Sequence, residues 1–387
     1  MDVNNVNEAE IREVRTLLET LVRIESPSSD PAAVTLALGV LADALEDAGA
    51  ELEVDFPPDR KVVPPPTLVA RVPGANPSAP PLLVVGHLDT VHRVGTLIGP
   101  LPLREEGRRL FGPGVYDMKA GLAVLVGALN RLRARGERPA RTLRILVTPD
   151  EEIGAPSSRG LLEEEARQAF GALVLEPPMP GGHAKIRRKG VGQFRITLTG
   201  VPAHSGIEPE RGASAIHALG TFLPRLLALA APERGTTLNV GTVRGGTAVN
   251  VVAEEVHLVV DVRISTSEEA ERIESEVAAL GSPAPRVAFR VEGGIGRPPL
   301  EPTPRSRELL AVAAEVAALH GRPGFDGGAT GGGSDGNFLA AAGCPVLDGL
   351  GVNGDGAHTH EEHIQLEDLG WRIGFLADLL ARVGSES

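Results

Sequence analysis

Five short segments of this 387-residue chain place a histidine or a carboxylate directly after an apolar run. In residues 82–91, His87 and Asp89 follow Leu82-Leu83-Val84-Val85 and, two apart, leave an extended run on one face. One could ligate a metal while the carboxylate orients the imidazole. In residues 112–121, Asp117 stands just ahead of an apolar helical stretch. In residues 147–154, Asp150, Glu151 and Glu152 stand together at the end of a run. Glu176 follows Leu173-Val174-Leu175, and His358, His360 and His363 fall within six residues. Each segment has a plain explanation on its own: a loop histidine, a helix cap, a solvated acidic turn. Together they suit two cations such as Zn²⁺, with one carboxylate bridging and another left free as a base. Two metals about 3.5–4 Å apart can hold a hydroxide and clamp a tetrahedral intermediate.

These residues need elements that bring them to one place. Residues 82–85, 143–147, 173–175 and 345–348 read as short, continuously apolar strands. Helical patterns over 11–24, 32–48, 121–132, 161–170, 306–320 and from 366 onward alternate with them. That alternation predicts an α/β fold, a mostly parallel sheet sandwiched by helices, with ligands at the carboxyl ends of its strands. The pattern changes near Lys189. Strands at 193–199, 237–243, 255–264 and 286–291 and helices at 213–230 and 267–280 follow the order β-α-β-β-α-β, the ferredoxin-like arrangement. Ser267 is the expected N-cap of the second helix, with Gly281 after its end. The expected domains are a catalytic part at 1–187, an inserted domain at 188–296 and a second catalytic part at 297–387.

Composition narrows the function classes. The net charge is −13 with no basic block, which argues against nucleic acid or an anionic membrane as partner. A single cysteine, Cys344, excludes an intrachain disulfide and a cysteine zinc site, and reads as a small core residue. Residues 1–10 carry no leader pattern and no run is long enough to span a bilayer, so a soluble cytoplasmic protein is expected. Residues 187–189 read as a solvated turn, and His92 has no motif support.

The five segments, in this order and spacing, resemble the dinuclear zinc exopeptidase and deacylase family. That family includes glutamate carboxypeptidase, acetylornithine deacetylase, succinyl-diaminopimelate desuccinylase and aminoacylase. Arg159, residues 203–206 (Ala-His-Ser-Gly) and residues 331–335 (Gly-Gly-Gly-Ser-Asp) look closest to the glutamate carboxypeptidase branch. The resemblance implies that Asp117 bridges two Zn²⁺ ions, with Co²⁺ or Mn²⁺ as alternatives. His87 and Glu176 complete one site, and Glu152 and His358 the other. His358 is chosen over His360 and His363 because the family has Glu four residues later, here Glu362. Glu151 is the implied general base and Asp89 the residue orienting His87. A cis peptide is expected at Asp117–Met118.

In the inserted domain, His204 resembles the histidine that reaches a partner subunit's active site and stabilises the oxyanion. Arg263 resembles the arginine that pairs with a substrate carboxylate, and Asn250 another substrate contact. Gly333 and Ser334 belong to a loop that could approach the same carboxylate. The implied enzyme is a homodimeric metal-dependent hydrolase. A zinc-held hydroxide, formed with Glu151 as base, would attack the amide bond of a small peptide or N-acyl amino acid with a free α-carboxylate. A glutamate-type carboxypeptidase is the first expectation. An acetylornithine deacetylase or desuccinylase, a dipeptidase or aminoacylase, and more remotely a non-catalytic peptide-binding protein are the alternatives.

Overall fold

The structure, a computed structural model, describes residues 6–53 and 65–385. The first five residues of the stretch read above for a leader lie outside them. The chain divides into two compact units. One comprises Met1–Arg187, Pro302–Thr330 and Ser334–Ser387, the other Arg188–Glu301 and Gly331–Gly333.

The first unit is built on a six-stranded sheet. Its order is Glu51–Leu52, Leu68–Val72, Leu143–Thr148, Leu82–His87, Gly171–Val174, Val346–Leu347. The last four run parallel, Leu68–Val72 runs against them and Glu51–Leu52 pairs antiparallel with it, giving a mixed, mostly parallel α/β sheet. All six residues of Leu82–His87 are buried, which explains why this strand reads as an unbroken apolar run. The two antiparallel strands were not expected. Leu68–Val72 follows three prolines and contains Arg71, which hides its pattern.

Helix Ala120–Ala134 is buried on nearly every side and packs against Glu8–Arg23 and Asp368–Arg382. Gly121 lets its first turn approach the sheet. A Cβ there would stand 2.2 Å from the Leu175 carbonyl oxygen. Glu8–Arg23 begins in a capping box made by Asn7 and Glu10, and Pro31–Asp47 begins with Asp30 as cap and Pro31 behind it. The core is almost wholly Leu, Val, Ile and Ala, each large aliphatic side chain contributing about 1.5–3 kcal/mol on full burial. Cys344 is buried, and burial pushes its thiol up to about 12. A small antiparallel sheet of Arg104–Glu106, Arg109–Phe111, Gly354–Asp355 and His363–Gln365 also belongs to this unit. Strands of two or three residues carry no readable period. Among the described residues, no helix is long and apolar enough to cross a membrane.

The second unit has its own core. Its sheet runs Thr237–Gly245, Glu255–Ile264, Gly190–Thr199, Ala288–Arg297, with every neighbouring pair antiparallel. Helices Ala215–Leu227 and Ser267–Ala279 connect the strands in the order β-α-β-β-α-β and pack on the sheet. Phe194, Ile196 and Leu198 alternate inward with Val256, Leu258, Val260 and Val262 opposite. The cap of Ser267–Ala279 is Thr266, whose hydroxyl accepts the Glu269 N–H. It stands one residue before the expected Ser267. Arg188 also corrects an expectation. It is 2 % exposed and donates to the carbonyls of Gly332 and Gly333, so it is not part of a solvated turn.

Candidate metal centre

Three parallel strands bring the carboxyl ends of their sequences to one edge. His87 ends Leu82–His87 and lies level with Thr148, the last residue of Leu143–Thr148. Glu151 and Glu152 follow in the next turn. Val85 pairs with Val174, so continuing that register sets Glu176 opposite His87. Asp117 comes from a kinked turn, Val115–Lys119, and its peptide bond to Met118 is cis. Its carboxylate caps no helix: the cap position of Ala120–Ala134 is Lys119, with no side-chain hydrogen bond. The chain thus spends Asp117 on the site rather than on its local helix.

His358 sits at φ 64°, in the left-handed region that histidine tolerates better than most residues. Gly356 just before it is also left-handed, and a Cβ there would strike the Glu361 backbone at 2.6 Å.

Two groups of ligand-type atoms result, His87 with Asp117 and Glu176, and Asp117 with Glu152 and His358. His87 Nε2 lies 3.3 Å from Asp117 Oδ1 and 3.5 Å from Glu176 Oε1. His358 Nε2 lies 3.2 Å from Asp117 Oδ2 and 3.3 Å from Glu152 Oε2. Asp117 therefore offers one oxygen to each group.

The other face of His87 fixes its tautomer. Nδ1 stands 3.0 Å from the Asp89 backbone carbonyl, which can only accept, so Nδ1 carries a proton and Nε2 points at the carboxylates. The Asp89 carboxylate is 3.4 Å from Nδ1. Its stronger contacts are the N–H groups of Glu151 and Glu152, each at 3.1 Å, and the Ser28 hydroxyl at 2.6 Å. So Asp89 orients the Glu151–Glu152 turn as much as the imidazole.

Electrostatics identify what such a cluster would hold. His87 Nε2, Asp117 Oδ1 and Glu152 Oε1 are buried without a hydrogen-bond partner, a costly condition in a packed protein. Burial alone would lower the His87 pKa, yet Asp117, Asp89 and Glu176 hold it well above the ordinary value. Asp117 and Glu152 likewise hold His358 up at about 11. Burial works against ionisation of Asp117, but the two histidines keep its carboxyl far below the usual range. Glu152 is raised by burial. The cluster demands positive charge, and two divalent cations would supply it where protons on the two imidazoles otherwise must. The residues fit a metal.

Sequence reasoning missed one carboxylate. Glu362 is 1 % exposed and accepts the backbone N–H groups of Gly114, Tyr116 and Asp117 at 2.8–3.0 Å. It also faces His92 Nε2 at 2.6 Å. It pins the turn that carries Asp117, and His92, read as featureless, is its partner. The spacing that singled out His358 contained Glu362, but nothing in a spacing reveals which backbone groups it faces. His363 packs on Phe111 at 4.9 Å and takes no part in the cluster.

The remaining site residues lie elsewhere. Ser334 is fully buried, its hydroxyl donates to Asp348 at 2.6 Å and its N–H to Asn337 Oδ1 at 2.9 Å. Gly333 belongs to the second unit, where a Cβ would stand 2.7 Å from Arg297 Cδ. His204 and Asn250 adjoin one another in that unit: His204 bridges Val251, and the Asn250 carbonyl accepts the Ser205 N–H. Arg263 is at the opposite end of its strand and forms a two-pronged pair with Asp261 at 2.9 and 3.0 Å.

The sequence profile of Peptidase family M20/M25/M40 matches residues 83–382, in agreement with the resemblance drawn from the residues. The chain is similar to a carboxypeptidase G2 of Pseudomonas sp. (strain RS-16), 28 % identical over 373 residues, 95 % of this chain and 88 % of that one. It is 31 % identical over 376 residues to a succinyl-diaminopimelate desuccinylase of Gluconacetobacter diazotrophicus, covering 92 % of both. Its fold matches the crystal structure of aminopeptidase PepT from Bacillus cereus ATCC 10987, with a TM-score of 0.82, 23 % identity and coverage of 98 % of this chain and 99 % of that one.

Proposed function

The chain belongs to peptidase family M20/M25/M40, metal-dependent hydrolases of amide bonds, and from that premise we propose a glutamate-type carboxypeptidase. Its substrate is a peptide or N-acyl amino acid with a free α-carboxylate. The observation that carries this reading is the pair of ligand groups meeting at Asp117, with Glu151 in neither. His87 and Glu176 would hold one cation, Glu152 and His358 a second, and Asp117 would bridge them. Zinc suits two histidines and three carboxylates, and cobalt or manganese can occupy the same ligands. Bound there, such ions lower the pKa of a water and polarise a carbonyl oxygen.

The chain's own residues do the rest. Glu151 would take the proton of the attacking water and pass it to the leaving amine. Its charge acts on His87, and Asp89 fixes its backbone. The Arg263 guanidinium would exchange Asp261 for the substrate carboxylate, which suits its planar fork. His204 would donate to the oxyanion that develops in the transition state.

A dimer follows from the same reading. From the Glu255–Thr199 pair to Arg263 is eight residues along one strand, roughly 26 Å at about 3.3 Å per residue. His204 and Asn250 lie beyond the Glu255 end. One copy of this unit cannot present Arg263 and His204 to one small substrate, so His204 would come from a second copy.

A deacylase acting on N-succinyl amino acids is the second reading, supported by the desuccinylase relative at 31 % identity. The test is amino-acid release from C-terminal glutamate dipeptides, N-acetylornithine, N-succinyl-diaminopimelate and N-acetyl hydrophobic amino acids, with and without Zn²⁺. Selective, metal-dependent cleavage of the glutamate compounds supports the first reading. Selective cleavage of the succinyl compound replaces it with the second.

A further inference from the structure

A cavity of about 680 Å³ opens in the first unit and shares His358 with the candidate metal centre. Whatever fills it abuts the reacting centre. Its wall includes Val91, Val94 and Pro100, with Arg93 and His360 beside them. The two valines are 42 % and 64 % exposed, apolar surface left open to this cavity. No Asp or Glu lines it, in a chain whose net charge is −13. Among the described residues Arg93 is paired with no carboxylate.

The wall is built and held. The Glu25 carboxylate accepts the N–H groups of Gly95 and Leu97 at 2.8 and 2.7 Å, and the Thr96 hydroxyl donates to the Arg93 carbonyl at 2.7 Å. The loop is therefore tied down just after Arg93, and the His92–Glu362 contact at 2.6 Å ties it just before.

We propose that this cavity is a specificity subsite for a second substrate carboxylate on a short aliphatic stem, held by Arg93. The stem lies against Val91 and Val94, the carboxylate meets the guanidinium, and a ring N–H of His360 donates one further hydrogen bond. An unpaired guanidinium beside open aliphatic surface complements that chemistry and no neutral acyl group. The inference rests on the amide-hydrolase reading. The carboxylate could belong to the acyl group, as in succinyl or glutaryl, or to the side chain of the released amino acid, as in glutamate.

Two matched substrate pairs separate these sources: N-succinyl against N-pentanoyl on one amino acid, and N-acetylglutamate against N-acetylglutamine. The metal-loaded wild type should prefer the carboxylate member of one pair by at least about tenfold in kcat/KM, the worth of a hydrogen bond between charged groups. Arg93→Gln should reduce that preference about tenfold, and Arg93→Lys should restore part of it. No preference in either pair, or a preference unchanged in Arg93→Gln, overturns the subsite.

A binding measurement keeps the two readings apart. Calorimetry of butyrate and butyramide against metal-free protein should show butyrate bound more tightly, and weakened about tenfold by Arg93→Gln. Equal affinity for the acid and the amide overturns the subsite whatever the enzyme cleaves. Hydrolysis of none of the compounds by metal-loaded protein, with the butyrate result intact, overturns the hydrolase reading and leaves an anion site standing.

Discussion

On the proposed reading, Asp117 and Glu151 separate holding a metal from moving a proton. Asp117 contributes an oxygen to each ligand group, so Asp117→Ala should release both metals and all turnover. Glu151 belongs to neither group. Glu151→Ala should keep both metals and lose about 10²–10⁴ in kcat, the usual worth of a positioned acid–base group. Metal analysis beside turnover checks both, and near-full turnover in Glu151→Ala would remove it as the base. Glu362 acts one step back. It satisfies three backbone donors and His92 at once. Glu362→Gln sets an amide NH₂ against one of these donors and should cost about 1–3 kcal/mol. Urea unfolding of the metal-free protein reads this directly, and an unchanged midpoint would mean that the turn holds itself.

Secondary-structure elements set where those residues meet, and two contacts between elements carry predictions. Helix Ala120–Ala134 reaches the sheet edge only because Gly121 has no side chain. Gly121→Ala should push its first turn off Leu175 and destabilise the protein by about 1–3 kcal/mol, the range for overpacking. A lower urea midpoint with an unchanged slope would show it. Asp378 joins three helices: it lies on Asp368–Arg382, accepts Arg135 at the end of Ala120–Ala134, and meets His320 at the end of Pro304–Leu319, both at 2.8 Å. Burial works to raise its pKa, yet hydrogen bonds from His320 and Arg135 hold it at about 2, against an ordinary 3.8. A depressed carboxylate adds stability that is fully present above the unfolded-chain value and is lost as pH falls through the folded one. The window here runs from about pH 4 down to about pH 2. Asp378→Asn should therefore flatten the fall in Tm across that window relative to the wild type. Parallel acid limbs in the two proteins would refute the link.

On the proposed reading, catalysis depends on assembly. If a second copy supplies His204, Glu151→Ala and His204→Ala are each inactive alone but complementary when mixed. In a mixed dimer one site has an intact Glu151 and receives an intact His204. With free subunit exchange, about a quarter of all sites should become active, by the statistics of a two-fold assembly. Exchange shown by native mass spectrometry without recovered turnover would place both residues in one subunit's site, or His204 in none.

The one-dimensional pattern determined much of this protein. Continuous apolar strands set the parallel core of the first sheet, because a strand covered on both faces has no polar position to interrupt it. His87, Glu151, Glu152 and Glu176 at the ends of those strands marked one part of the site, since strands running parallel must end together, and the order and spacing of the segments carried the family. What the pattern did not contain were relations between distant backbones. Leu68–Val72 joins the sheet antiparallel behind a run of prolines. Glu362 earns its place through N–H groups almost 250 residues away. Ser334 gives its hydroxyl to Asp348, a partner that no motif shows, and Arg188 looked solvated but is buried on glycine carbonyls. Arg93, one arginine among many in the sequence, becomes distinctive only on the wall of a cavity, where among the described residues no carboxylate pairs with it. Residue type and period state which groups prefer burial or a charge partner. Which partner each one meets is settled by chain segments that are remote in sequence, and that is a property of the folded structure alone.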